Sequence, residues 1–206
     1  MVIAIDGPAG AGKSTVARAV ARELGFTYLD TGAMYRAVGL AAAESGDTPG
    51  DVAERIELEM GDRVLMDGRD VTEAIREPGV SAAASRVAAD PQVRRALVAK
   101  QQEIMAEGDW VAEGRDIATV VAPDAPVKVF LTADPAERAR RRAAQIGGDP
   151  EQILRAIVER DERDATDDRS VHAPAPDAVP VDTTGLTIDE VVAQIVTLTV
   201  EARELS

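Results

Sequence analysis

Val2-Ile3-Ala4-Ile5-Asp6-Gly7-Pro8-Ala9-Gly10-Ala11-Gly12-Lys13-Ser14-Thr15 is the stretch that decides the fold of this 206-residue chain. Its opening is short, continuous and β-branched, the pattern of a strand buried on both faces of a parallel sheet. It runs straight into glycines, and Gly7 to Ser14 matches the phosphate-loop spacing G-x-x-x-x-G-K-[ST], after a strand and before a helix as that motif requires. Glycines let backbone N–H groups wrap nucleotide phosphates, and the following helix presents its positive end. Lys13 is placed to neutralise the β and γ oxygens, and Ser14 to ligate magnesium. Gly7, Pro8, Ala9, Gly10, Ala11, Gly12, Lys13, Ser14 and Thr15 are therefore the expected ATP-binding residues, with Ser14 the expected Mg2+ ligand. A plain tight turn with a solvated lysine would not need three glycines, Lys and Ser together. Switch GTPases share the loop but read guanine through an N-K-x-D segment, which the chain lacks.

Outward from the loop, Ser14 to Leu24 reads as a helix, Gly25 punctuates it, and Phe26-Thr27-Tyr28-Leu29 reads as a second strand ending at Asp30-Thr31-Gly32. A helix follows from about Ala33. Between Gly46 and Gly79 the pattern changes to glycines with short β-like pieces (Ile56 to Met60, Val64 to Met66, Asp70 to Thr72), which reads as an insertion. Alternation then returns: helices at Val80 to Ala88 and Pro91 to Glu107, a strand Trp110-Val111-Ala112 ending in Glu113-Gly114-Arg115-Asp116, and a strand Val127 to Leu131. Asp134-Pro135 starts an arginine-rich helix, with Asp as N-cap and Pro at the first helical position. Ala178 to Val181 reads as a last strand, at an edge because of Pro180, before an amphipathic helix from Ile188 to about Ala202. The expectation is an α/β fold of the P-loop NTPase type: a parallel five-stranded sheet flanked by helices, with right-handed crossovers and a ligand crevice at the carboxyl ends of the strands.

Composition narrows the function. A formal net charge of −14 argues against a general nucleic-acid surface, because such surfaces carry basic patches that neutralise phosphates. Absence of cysteine removes disulfides, thiolate catalysis and cysteine metal sites, and the single His172 argues against histidine-bound zinc. With no run of about 18 apolar residues, and an apolar start that stops at Asp6, the expectation is a soluble cytoplasmic protein without membrane partners. Only Lys13, Lys100 and Lys128 are lysines; the arginine excess reflects phosphate recognition or, more simply, coding bias.

Past the second strand, Arg36 stands one to two helical turns beyond the sheet edge, where a guanidinium can hold an acceptor phosphate in bidentate fashion; a surface arginine is the alternative. Gly114-Arg115-Asp116 adds a second arginine and a carboxylate at another strand end. Arg138, Arg141 and Arg142 share one helix face, and either reach ATP phosphates or form a solvated face balanced by Glu137.

Four stretches carry a family resemblance: Gly7 to Ser14, Leu29-Asp30-Thr31-Gly32-Ala33-Met34-Tyr35-Arg36, Glu113-Gly114-Arg115-Asp116-Ile117-Ala118-Thr119-Val120-Val121, and Pro123-Asp124-Ala125-Pro126-Val127-Lys128. Together they closely resemble the bacterial cytidylate kinases, nearly end to end. Adenylate kinases share the loop and the fold plan but differ in the second motif and have a longer lid. The resemblance implies one kinase domain over 1–206, with a core at about 1–45, 80–143 and 170–206, a monophosphate-binding insertion at about 46–79 and a short lid at about 144–169. It implies a monomer that moves the terminal phosphoryl group of ATP, with Mg2+, to CMP or dCMP. By motif, Ser85 and Arg94 with Asp116 would contact cytosine, and Thr31, Arg36 and Arg115 would hold the acceptor; Arg160 would sit at phosphate and Asp164 at the sugar hydroxyls. Lys13, Arg36, Arg115 and Arg160 are the residues it makes catalytic. Cytosine offers an N4 donor beside N3 and O2 acceptors, which suits a carboxylate and a guanidinium. The chain departs from the family at Asp167, where relatives commonly carry an arginine; either Arg169 is the substitute, or Asp167 points to solvent and Arg160 alone serves the phosphates.

Overall fold

The structure, a computed structural model, describes residues 1–61, 63–166 and 174–204. In chain order the elements are β1 (Val2–Asp6), α1 (Lys13–Leu24), β2 (Thr27–Asp30), α2 (Thr31–Ser45), α3 (Pro49–Arg55), β3 (Leu58–Met60), β4 (Val64–Met66) and β5 (Arg69–Asp70). Then come α4 (Pro78–Val87), α5 (Pro91–Ile104), β6 (Trp110–Glu113), β7 (Val127–Thr132), α6 (Pro135–Ile146), α7 (Pro150–Thr166), β8 (Val179–Asp182) and α8 (Ile188–Glu204). They divide into two compact units, Met1–Tyr28 with Gly108–Ser206, and Leu29–Glu107.

The first unit is built on the sheet, whose strand order is β2-β6-β1-β7-β8. β1 is central and parallel to both neighbours, Ile3 lying opposite Val111 on β6 and Ile5 opposite Val129 on β7. Ile3, Ala4 and Ile5 are fully buried, as the unbroken apolar run requires. Burying each isoleucine contributes about 1.5–3 kcal/mol. α1 and α8 cover one side through Val16, Val20, Val191 and Ile195. β8 pairs with β7 alone, so Pro180 stands on an edge strand where its missing N–H breaks no ladder. The five-stranded parallel sheet expected from the sequence is the one found. The Asp134-Pro135 start of α6 is also as expected, Asp134 Oδ1 accepting from Ala136 N at 2.8 Å.

The second unit packs α2 on α4 and α3 on α5, with β3-β4-β5 as a small antiparallel sheet. Met34, Ile56, Ile75, Val93 and Leu97 are among its buried residues. Helix α3 is absent from the sequence reading, which expected only strands between Gly46 and Gly79. Its signals were present in Thr48, which accepts from Asp51 N at 3.3 Å, and in Pro49 at the first helical position. Of the small strands, β4 has the expected bounds, while β3 starts two residues later and β5 ends two residues earlier than expected. Ile56 closes α3, and Thr72 leaves the ladder to accept from Val64 N at 2.9 Å through its hydroxyl.

Candidate active site

The phosphate loop leaves β1 at its carboxyl end. Gly7 has φ +148°, and a Cβ there would lie 2.2 Å from the carbonyl oxygen of Leu131 on β7, so no other residue fits without moving the sheet. Gly10 has φ +77° and lies over Arg138, whose Cβ would be 3.1 Å from an added Cβ. No side chain caps the amides at the start of α1 and its first turn carries no acid, which leaves its positive end directed at the loop. Lys13 Nζ donates to the carbonyl of Pro8 at 2.9 Å, folding back over its own loop. Ser14 and Thr15 are exposed on the first turn.

Two of the four arginines of α6 are held in this region, Arg138 directly against the loop. Arg138 is 5% exposed; its Nε donates to Ala133 O at 3.1 Å, and its Nη1 to Ala9 O at 3.1 Å and to Asp161 on α7 at 2.6 Å. Arg141 is held by Thr183, through Oγ1 at 2.9 Å and O at 2.7 Å, and by Glu137 at 2.8 Å. The shared face expected to reach phosphate or water thus divides: Arg138 and Arg141 are spent on protein, and Arg142 is exposed. Hydrogen bonds from Arg140 and Arg141 hold the Glu137 carboxyl down at about 2.

The end of β6 forms a second group in the same unit. Glu113 is buried and accepts from Tyr28 Oη at 2.6 Å, while Arg18 lies 4.3 Å over the Tyr28 ring. Arg115 and Asp116, half-buried, follow at once and lead into a wide turn. There Val121 N donates to Asp116 O at 3.2 Å and Ala122 N to Ile117 O at 2.7 Å, five residues back in each case. Asp6 receives the amides of Ile117 and Ala118 at 3.0 and 2.8 Å. Burial pushes its carboxyl up to about 6; Asp116 adds to the rise, while the two amides and Lys13 oppose it.

In the second unit, α2 carries Thr31, buried at its first position, and Arg36 one turn on. Asp30 serves both ends of that turn: Oδ1 caps the helix by accepting from Ala33 N at 2.8 Å, and Oδ2 accepts from Arg36 Nη2 at 2.9 Å. The Nε of Arg36 is buried with no hydrogen-bond partner among the described residues. Ser85 on α4 and Arg94 on α5, both half-buried, sit on separate helices of this unit.

Arg160 and Asp164 belong to α7, but their side chains lie outside the described residues, as do Asp167 and Arg169 entirely. Asp6, Asp30 and Asp161 carry hydrogen bonds at these two sites without having been assigned a role from sequence. Only Asp30 had a local signal, as an acid placed before a helix start.

No group of three or more His, Cys, Asp or Glu among the described residues is disposed to hold a metal. The first unit can thus bind a nucleotide's phosphates, and the second offers a buttressed guanidinium for a further anion.

Comparison with known proteins gives concordant results. The family model described as Cytidylate kinase matches residues 3–201. A cytidylate kinase of Carboxydothermus hydrogenoformans is 48% identical, the match covering 95% of each chain. One from Solibacter usitatus is 51% identical over 93% of this chain and 88% of its own. Among solved structures, a gluconokinase from Sinorhizobium meliloti matches 99% of this chain and 94% of its own with a TM-score of 0.54 at 18% identity, a likeness of fold.

Proposed function

The chain belongs to the cytidylate kinase family, and from that premise we propose that it transfers the γ-phosphoryl group of ATP to CMP, and to dCMP, giving ADP and the corresponding diphosphate. The observation that carries the reading is the phosphate loop at the end of the central strand, where Gly7 and Gly10 hold backbone positions that leave no room for a side chain and Lys13 lies over the loop at the start of α1. A phosphate oxygen of CMP is the nucleophile. Its second pKa near 6 leaves it largely ionised at neutral pH, so the site needs no general base. The new bond forms between that oxygen and Pγ, and the bond from Pγ to the β–γ bridging oxygen breaks, its electron pair leaving with ADP. Little covalent chemistry falls to the protein, whose work is alignment and charge neutralisation.

In this reading Lys13 exchanges the Pro8 carbonyl for the β and γ oxygens, and the loop amides hold the rest of the triphosphate. Arg36, oriented by Asp30, and Arg115 bind the acceptor phosphate, with Thr31 beside Arg36. Asp116, Ser85 and Arg94 read cytosine, and Arg160 and Asp164 serve phosphate and sugar. Mg2+, when bound, supplies further neutralisation of the phosphate charge, and Ser14 is its protein ligand. The reading also makes the protein a monomer of the cytoplasm; no helix among the described residues is long and apolar enough to cross a membrane. The test is ADP release measured against a panel of nucleoside monophosphates with ATP. CMP and dCMP are expected to stand far above UMP, AMP and the no-acceptor control, with turnover lost in EDTA. Equal rates without acceptor would overturn the proposal.

A further inference from the structure

Asp6 has no part in the chemistry just described, yet it is a charged side chain only 4% exposed, at the last position of the central strand. Its main chain is fixed in the sheet opposite Phe130, and the phosphate loop begins one residue later. Both of its carboxylate oxygens are committed to consecutive backbone amides more than a hundred residues away: Oδ1 accepts from Ile117 N at 3.0 Å and Oδ2 from Ala118 N at 2.8 Å. Those amides open the wide turn that Asp116 closes with its own carbonyl, through Val120 N at 2.9 Å and Val121 N at 3.2 Å. A second tie runs alongside, from Gly114 N to Ile5 O at 3.1 Å. Arg115 and Asp116 therefore stand between two anchors, both fastened to the end of β1.

We propose that Asp6 is a positioning residue for acceptor recognition: it fixes the Ile117–Ala118 backbone, and through it the placement of Arg115 and Asp116, without touching either substrate. The proposal rests on the reading of Arg115 and Asp116 as acceptor-binding residues. An ionised carboxylate accepts from both amides at once, and burial raises the proton affinity of Asp6 only to about 6, so this form prevails at the pH of a neutral assay. Asparagine has the same volume but turns an NH2 toward one of the two amides. One N–H then loses its acceptor and the turn must shift.

The experiment compares Asp6→Asn, Asp116→Asn and the double variant, with CMP and UMP as acceptors and with ATP varied. Asp6→Asn is expected to raise the KM for CMP about tenfold, the equivalent of one lost hydrogen bond. It should narrow the CMP:UMP ratio of kcat/KM while the KM for ATP stays within about twofold. Because Asp6 acts through Asp116, the double variant should be no less selective than Asp116→Asn alone. Hydrogen exchange over residues 114–121 of the full chain should quicken in Asp6→Asn, with β7 unchanged. An unaltered KM for CMP with an unaltered ratio, or selectivity losses that multiply in the double variant, would overturn the proposal while leaving the kinase reading intact. If Asp116→Asn itself leaves the ratio unchanged, the base-reading assignment fails, and the exchange of 114–121 alone decides on Asp6, unchanged exchange overturning it. Asp6→Glu, which keeps the charge but displaces it, gives the same measurements if the asparagine variant does not fold.

Discussion

β1 and β2 both end in an aspartate, β1 leading through the phosphate loop into α1 and β2 directly into α2, yet the two aspartates work at different ranges. Asp30 acts within its own turn, capping α2 and holding Arg36 six residues on. Asp6 ignores the loop it precedes and reaches Ile117 and Ala118. The difference is one of burial and strand position. β1 is the central strand and its end is enclosed, so a carboxylate there must find fixed donors wherever the fold supplies them. β2 lies at the sheet edge, where the start of the next helix supplies donors locally.

The sharpest test of this contrast compares the cation that follows each aspartate. Lys13→Ala is expected to reduce transfer by at least about 10²-fold, chiefly in kcat, with the thermal transition unchanged, since the ammonium faces the loop and not the core. Arg36→Ala should instead raise the KM for CMP by about tenfold or more, with a smaller effect on ATP. A Lys13→Ala enzyme within about tenfold of wild type would remove the phosphate loop from the donor site. Asp30→Ala comes next. Losing the cap should cost about 1 kcal/mol of stability, read as a lowered Tm, and releasing Arg36 should weaken CMP binding several-fold. Loss of stability without any change in CMP binding would make Asp30 a cap and nothing more.

The last comparison is one of pH dependence. Burial pushes the Asp6 carboxyl from an ordinary 3.8 up to about 6 in the folded chain, desolvation outweighing its hydrogen bonds. Between those values the folded state holds more protons than the unfolded one, so Asp6 makes stability fall as pH rises from about 4 to about 6. Asp6→Asn should remove this contribution, so that wild type loses ground to the variant across that window. Parallel pH profiles from denaturant titration would break the assignment of the shift to Asp6.

What could be read from sequence follows the same division by range. The phosphate loop, the Asp134-Pro135 cap and the edge position of Pro180 rest on contacts within a few residues or on a backbone property of one residue, and sequence carries them directly. The five-stranded sheet was legible because apolar runs alternate with helical ones. Arg138 was not: its spacing with Arg141 and Arg142 defines a helix face, but only the packing of α6 under Gly10 and against α7 reveals that Arg138 is buried while Arg142 is exposed. Glu113 and Asp6 were hidden likewise, since their partners Tyr28 and Ile117 are distant in the chain. Helix α3 is a different case, with local signals outweighed by the glycines around it.

The bond from Lys13 to the carbonyl of Pro8 makes the loop its own reference ligand. An incoming anion does not meet a bare ammonium ion; it must outcompete a neutral oxygen that is tethered at high effective concentration. A single weakly basic oxygen, such as that of a carboxylic ester or a sugar hydroxyl, offers nothing the carbonyl does not already give. Two or three charged oxygens on adjacent phosphorus atoms do. A loop built this way favours ligands of high charge density, since only these offer Lys13 more than the Pro8 carbonyl it already holds.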